Sequence, residues 1–109
     1  MPSERERSIL TAPTAVARAA AYAADEPEQR WMLRQPRDIR RSFAEEVFGR
    51  QDATARQEVW MLRQPKAVRE SFIHEVLELQ DPEPRQAIWM LRQADKVRES
   101  FVREVLEAA

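Results

Sequence analysis

Glutamate, serine and tryptophan each recur three times along this chain at intervals of 29 residues. Glu46, Glu75 and Glu104 fall near the middle of an apolar helical stripe. An unpaired charge there is very costly, so each carboxylate needs a partner. In an antiparallel helical hairpin turning near residue 65, Glu75 faces Arg56, and Glu104 faces Arg85 in the same way. One reading is a set of structural ion pairs, or carboxylates bonded to an indole N–H. The other is a row of carboxylates lining a ligand groove. Ser42, Ser71 and Ser100 lie at the edge of the stripe, and no His or Asp is placed to activate them as nucleophiles. They suit close helix approach or a bond back to the preceding turn. His74 stands where Glu45 and Arg103 stand in the other phrases, which makes it a solvated surface residue.

Trp31, Trp60 and Trp89 read as core, with a stacking platform for bases or a peptide as the alternative. Arg56 and Arg85 lie four residues before Trp60 and Trp89, a spacing that favours an Arg–Trp contact on one helix. Arg34, Arg63 and Arg92 close one helix, where cations suit the negative dipole end. Arg40, Arg69 and Arg98 flank the apolar stripe of the next. Both rows fit surface pairing. They could also form two basic ladders that meet an acidic peptide or a phosphate backbone, although Glu70 and Glu99 beside them weaken that reading.

Composition removes much of the remaining chemistry. The chain has no cysteine and one histidine, which excludes disulfides, thiolate nucleophiles and His-pair metal motifs. One glycine in 109 residues argues against an all-β fold and excludes a Gly-rich phosphate loop. A net charge of −1 argues mildly against a dedicated nucleic-acid binder. No uncharged run approaches the length of a membrane span.

The residues singled out above belong to one repeated phrase. It reads WMLRQPRDIRRSFAEEVFGR, then WMLRQPKAVRESFIHEVLEL, then WMLRQADKVRESFVREVLEA. The second and third copies agree at 14 of 20 positions, and ten positions agree in all three. A fixed period of this size predicts an all-α array of helical pairs. The period is shorter than the roughly 34 and 33 residues of tetratricopeptide and ankyrin repeats, whose phrases are absent.

The second helix of each pair shows an apolar face at Val68, Ser71, Phe72, Glu75, Val76 and Leu79. Pro36 and Pro65 sit where a first turn tolerates proline, and Gly49 suits a helix stop. Asp25, Asp52 and Asp81-Pro82 signal the starts of the first helices. Val59-Trp60-Met61-Leu62 and Ile88-Trp89-Met90-Leu91 point all round their helix, so these helices are buried on every side. Unit three has Ala94 in place of proline, which leaves a kinked continuous helix as the alternative to a hairpin.

Upstream, an alanine-rich helix over 13–24 resembles a worn second-helix copy that caps the stack. Residues 1–10 are expected to be flexible. The expected organisation is one helical domain over 11–109, with repeats at about 25–49, 52–79 and 81–109.

The function expected from this pattern is a non-catalytic protein–protein interaction or assembly module, with nucleic-acid binding through the Arg rows as the alternative. No enzyme activity, cofactor, metal or membrane association is expected, and the location is expected to be cytoplasmic. Val102 and Leu106 lie off the main stripe of the last helix and are expected to form a docking face for another protein or a second copy.

Overall fold

The computed structural model describes residues 4–80 and 84–107. Every regular element among the described residues is helical. The chain divides into two compact units, Met1–Ala53 and Thr54–Ala109.

The first unit contains α1 (Glu4–Leu10), α2 (Thr14–Ala21), α3 (Pro27–Leu33) and α4 (Arg37–Glu46). Its α1 packs on α2 and α4, and α2 packs on α3. The second unit contains α5 (Ala53–Leu62, starting at the boundary), α6 (Lys66–Glu75), α7 (Arg85–Leu91) and α8 (Asp95–Phe101). A short 3-10 helix, Leu77–Leu79, follows α6, and a π-type turn, Val102–Leu106, continues α8. The start signal at Asp81-Pro82 lies outside the described residues.

Each repeated phrase folds as helix, break, helix, and the break has a local cause. Residues Pro36, Pro65 and Ala94 have φ of −57°, −60° and −66° with ψ of 157°, 159° and 161°. Alanine therefore adopts the backbone that proline pre-sets, so the helix is interrupted at all three sites rather than kinked. The glutamine before each break closes the preceding helix. Gln35, Gln64 and Gln93 donate their side-chain amides to the carbonyls of Trp31, Trp60 and Trp89 at 3.0, 3.0 and 2.9 Å. Each of these carbonyls also accepts the backbone N–H three residues on, from Arg34, Arg63 or Arg92 at 3.2 Å, so the glutamine adds a second donor at the helix end. At the end of α4, Gly49 has φ of 84°, the left-handed conformation that glycine adopts without a Cβ clash.

Two expectations about elements change. Residues 4–10, expected to be flexible, form α1 with Leu10 buried. The anchor is remote in sequence: Arg40 of α4 donates to the Leu10 carbonyl at 2.9 Å. The start of α3 also differs, because Glu26 rather than Asp25 precedes its first residue, Pro27.

The buried face of the second helices lies one residue away from the expected stripe. In α6 and the turn after it, Arg69, Phe72, Ile73, Val76 and Leu77 are buried, while Glu75 and Leu79 are exposed. The spacing i, i+3, i+4, i+7, i+8 is that of one helical face. An arginine opens it.

Candidate functional site

Arg40, Arg69 and Arg98 are buried, and so do not form a solvent-facing ladder. Each guanidinium acts as a clamp between helix ends. Arg69 donates from Nε to the Gln64 carbonyl at 2.9 Å and from Nη1 to the Leu91 carbonyl at the end of α7. Arg98 donates from Nε to the Gln93 carbonyl at 3.0 Å and from Nη1 to the Leu62 carbonyl at the end of α5. Its Nη2 also meets the Asp95 carboxylate. Arg40 donates to Gln35 at 2.9 Å, Leu10 at 2.9 Å and Ala12 at 2.6 Å, and to the Thr14 hydroxyl at 3.3 Å.

Carbonyls at a helix C-terminus carry partial negative charge and lack intrahelical donors. They are therefore suitable counter-charges for a buried cation. A planar fork with five donors in fixed directions can reach two chain segments at once, where an ammonium offers three donors on a single atom. Burial, and then the charge of Arg98, push the Arg69 guanidinium below its ordinary pKa. Burial and the charge of Arg37 do the same to Arg40.

The exchange in the second unit is reciprocal. Arg63 pairs with Glu99 at 3.2 Å and Glu107 at 3.1 Å. Arg92 pairs with Glu70 at 3.2 Å and Glu78 at 3.4 Å. Glu99 and Glu107 follow Glu70 and Glu78 by the 29-residue period, as Arg92 follows Arg63. The pair α5–α6 thus gives to α7–α8 the same bonds it receives. The hydrogen bond from Arg92 holds the Glu70 carboxyl below the usual carboxylate range. His74 lies on the surface, 3.4 Å from both Glu70 and Glu78. In the first unit the exchange is one-sided. Ala17 follows Leu10 by seven residues, as Arg40 follows Leu33, so α2 has a buried alanine where α4 has the clamp.

The repeated carboxylates occupy the surface. Glu46, Glu75 and Glu104 are exposed and accept hydrogen bonds from Ser42, Ser71 and Ser100 at 2.7, 2.6 and 2.9 Å. These are i, i+4 contacts on a solvated face, and the expected burial of the glutamates does not hold. Arg56 and Arg85 are exposed as well.

The last phrase differs most from the expectation. Val102, expected on an outer docking face, is fully buried, and Leu106 is half-buried. Val102 stands 29 residues after Ile73, which is also fully buried, so the two are equivalent core residues of the second unit. The exposed apolar residues are instead Trp89, Val97 and Val105. Trp89 is 57% exposed where Trp60 is 3%, and Val105 is 57% exposed where Val76 is fully buried. Val97 is 42% exposed. α7 is therefore not buried on every side. Trp89, Val97 and Val105 are the exposed large apolar residues of the last phrase, as Leu79 is of the phrase before it.

The chain matches no family model, no curated protein and no solved structure. No helix among the described residues is long and apolar enough to cross a membrane.

Proposed function

We propose that the chain is a non-catalytic interaction module built from repeated two-helix units, with Trp89, Val97 and Val105 as its docking residues. The observation that carries this reading is the unequal exposure of equivalent residues. Trp60 and Trp89 hold the same position of the phrase, and the carbonyl of each accepts from the glutamine four residues on, yet one is core and the other faces water. An exposed tryptophan is a typical anchor for a partner protein, because aromatic residues concentrate binding energy in interfaces.

The arginine rows support this reading over nucleic-acid binding. Arg40, Arg69 and Arg98 are used inside the fold, and Arg63 and Arg92 are each paired with two glutamates.

A photoreactive group placed at position 97 tests the reading. It is expected to give protein adducts in a lysate of the source cells, and Trp89→Glu is expected to abolish them. Adducts that persist unchanged in Trp89→Glu, or no protein adducts at all, would remove Trp89 and its neighbours as the docking site.

A further inference from the structure

We propose that α1–α2 is a fourth copy of the phrase and a detachable one: it opens from α3–α4 as a local unit, while α5–α6 and α7–α8 stay closed on each other. The opening belongs to the first unit and is independent of the docking role of Trp89.

The copy is recognised by its register. Leu10, Pro13 and Ala17 precede Leu33, Pro36 and Arg40 by 23 residues each. α1 ends at Leu10 and α2 begins at Thr14, as α3 ends at Leu33 and α4 begins at Arg37. Pro13 has φ of −54° and ψ of 151°, close to the backbone of the other three breaks. Burial follows the same register. Leu10, Ala17 and Ala21 are buried, as are Leu62, Arg69 and Ile73 at the equivalent places of α5–α6.

The clamp of this copy runs in one direction. Arg37 donates from Nε to the Thr11 carbonyl at 3.1 Å, and Arg40 donates to the Leu10 and Ala12 carbonyls. The side chains that answer in the second unit are replaced here. Thr11, Ala12 and Ala17 stand where the other copies have the helix-closing arginine, the glutamine and the clamp. Arg18 and Arg41 stand where α6 and α8 have Glu70 and Glu99, the carboxylates that accept from Arg92 and Arg63.

Apolar burial is reduced as well. Ala21 takes the place of Ile73, and Ala20 and Ala24 take the places of Phe72 and Val76. Alanines let α2 approach α3 closely, but each removes less apolar area from water than the side chain it replaces. A segment with less buried apolar area than its equivalents, and with clamps from one side, is where a native structure opens first. Since α2 packs on α3, the opened state bares part of a helix whose last three residues, Trp31, Met32 and Leu33, are buried in the closed one. The N-terminal copy is thus a cover over α3.

Amide hydrogen exchange of the full chain, followed residue by residue by NMR, tests this. Ala21 and Ile73 hold equivalent places in the two units, so their protection factors compare like with like. Ala21 is expected to be at least about tenfold less protected than Ile73. Its exchange is expected to rise less steeply with urea, because a local opening exposes less surface than complete unfolding. Ala94→Pro, in the second unit, is expected to change the protection of Ile73 and to leave that of Ala21 as in the parent.

Equal protection of Ala21 and Ile73 would overturn the proposal. So would equal urea slopes, or a shift of Ala21 in Ala94→Pro by the same factor as Ile73. Either result would mean that Ala21 meets water only when the whole chain unfolds.

Discussion

Arg69 closes α7 from a distance: its guanidinium donates to the main-chain carbonyl of Leu91, 22 residues further along the chain. The same side chain donates to Gln64 at 2.9 Å, so one cation ties the break after α5 to the end of α7. Replacing it with methionine keeps much of the volume but leaves two carbonyls without donors. Arg69→Met is expected to cost about 2–4 kcal/mol in urea unfolding. Arg69→Lys is expected to recover only part of this, because an ammonium lacks the planar fork. A methionine variant as stable as the parent would show that the clamp contributes nothing net.

Truncation of equivalent tryptophans should have unequal effects. Trp60→Ala is expected to cost about 3–5 kcal/mol, as for a core aromatic. Trp89→Ala is expected to cost less than about 1 kcal/mol. Acrylamide quenching offers an independent check. Trp89 alone among the three should be readily quenched, and the Trp89→Ala variant should lose that component.

The break before α8 admits proline. Ala94 has φ of −66° and ψ of 161°, within a few degrees of Pro65. Ala94→Pro is expected to stabilise the chain by about 0.4–1 kcal/mol by restricting the unfolded state. A lower thermal midpoint in this variant would show that the Ala94 N–H has a role the prolines of the other phrases do without.

Acid should act through the carboxylates of the reciprocal pairs. The folded pKa of Glu70 is lowered by the hydrogen bond from Arg92, so its unfolded state takes up protons first as pH falls. The stability this adds is fully present above the ordinary carboxylate pKa and disappears as pH drops through the lowered folded value. Thermal midpoints of Glu70→Gln and the parent should therefore differ at neutral pH and converge in strong acid. A constant difference across that range would contradict the assignment.

The repeated Ser–Glu contacts are solvated, so their removal should matter little. Glu75→Ala is expected to change stability by less than about 1 kcal/mol, the usual scale for an exposed i, i+4 pair. A loss of several kcal/mol in chemical denaturation would mean that Glu75 has a structural role beyond its bond to Ser71.

The helical rhythm was legible because its signals are local. Proline or its alanine substitute, the glutamine before it and Gly49 each act within a turn of the chain. The orientation of the second helices was not legible, and the reason is chemical. Hydropathy assigns arginine to water, so the pattern favours a face with Glu75 at its centre over the one that begins at Arg69. On the favoured face Ile73 and Val102 fall outside the core, and Val102 reads as an exposed docking residue. The clue was present in the three identical Gln and Arg positions, but their partners are carbonyls, which no residue type reveals. The exposure of Trp89 was likewise hidden, because its phrase matches that of the buried Trp60 in all five residues from Trp to Gln.

The reciprocal bonding of the second unit also bears on molecularity. One phrase contains both halves of the contact, so two free peptides bearing it would associate only as a second-order process. Joined in tandem through the short segment after α6, they meet as parts of one molecule, at an effective concentration in the millimolar range. A pairing too weak to hold separate strands together at cellular dilution becomes sufficient to hold a fold. Duplication of the phrase thus replaces a concentration-dependent encounter with a first-order closure, without requiring any single bond to become stronger.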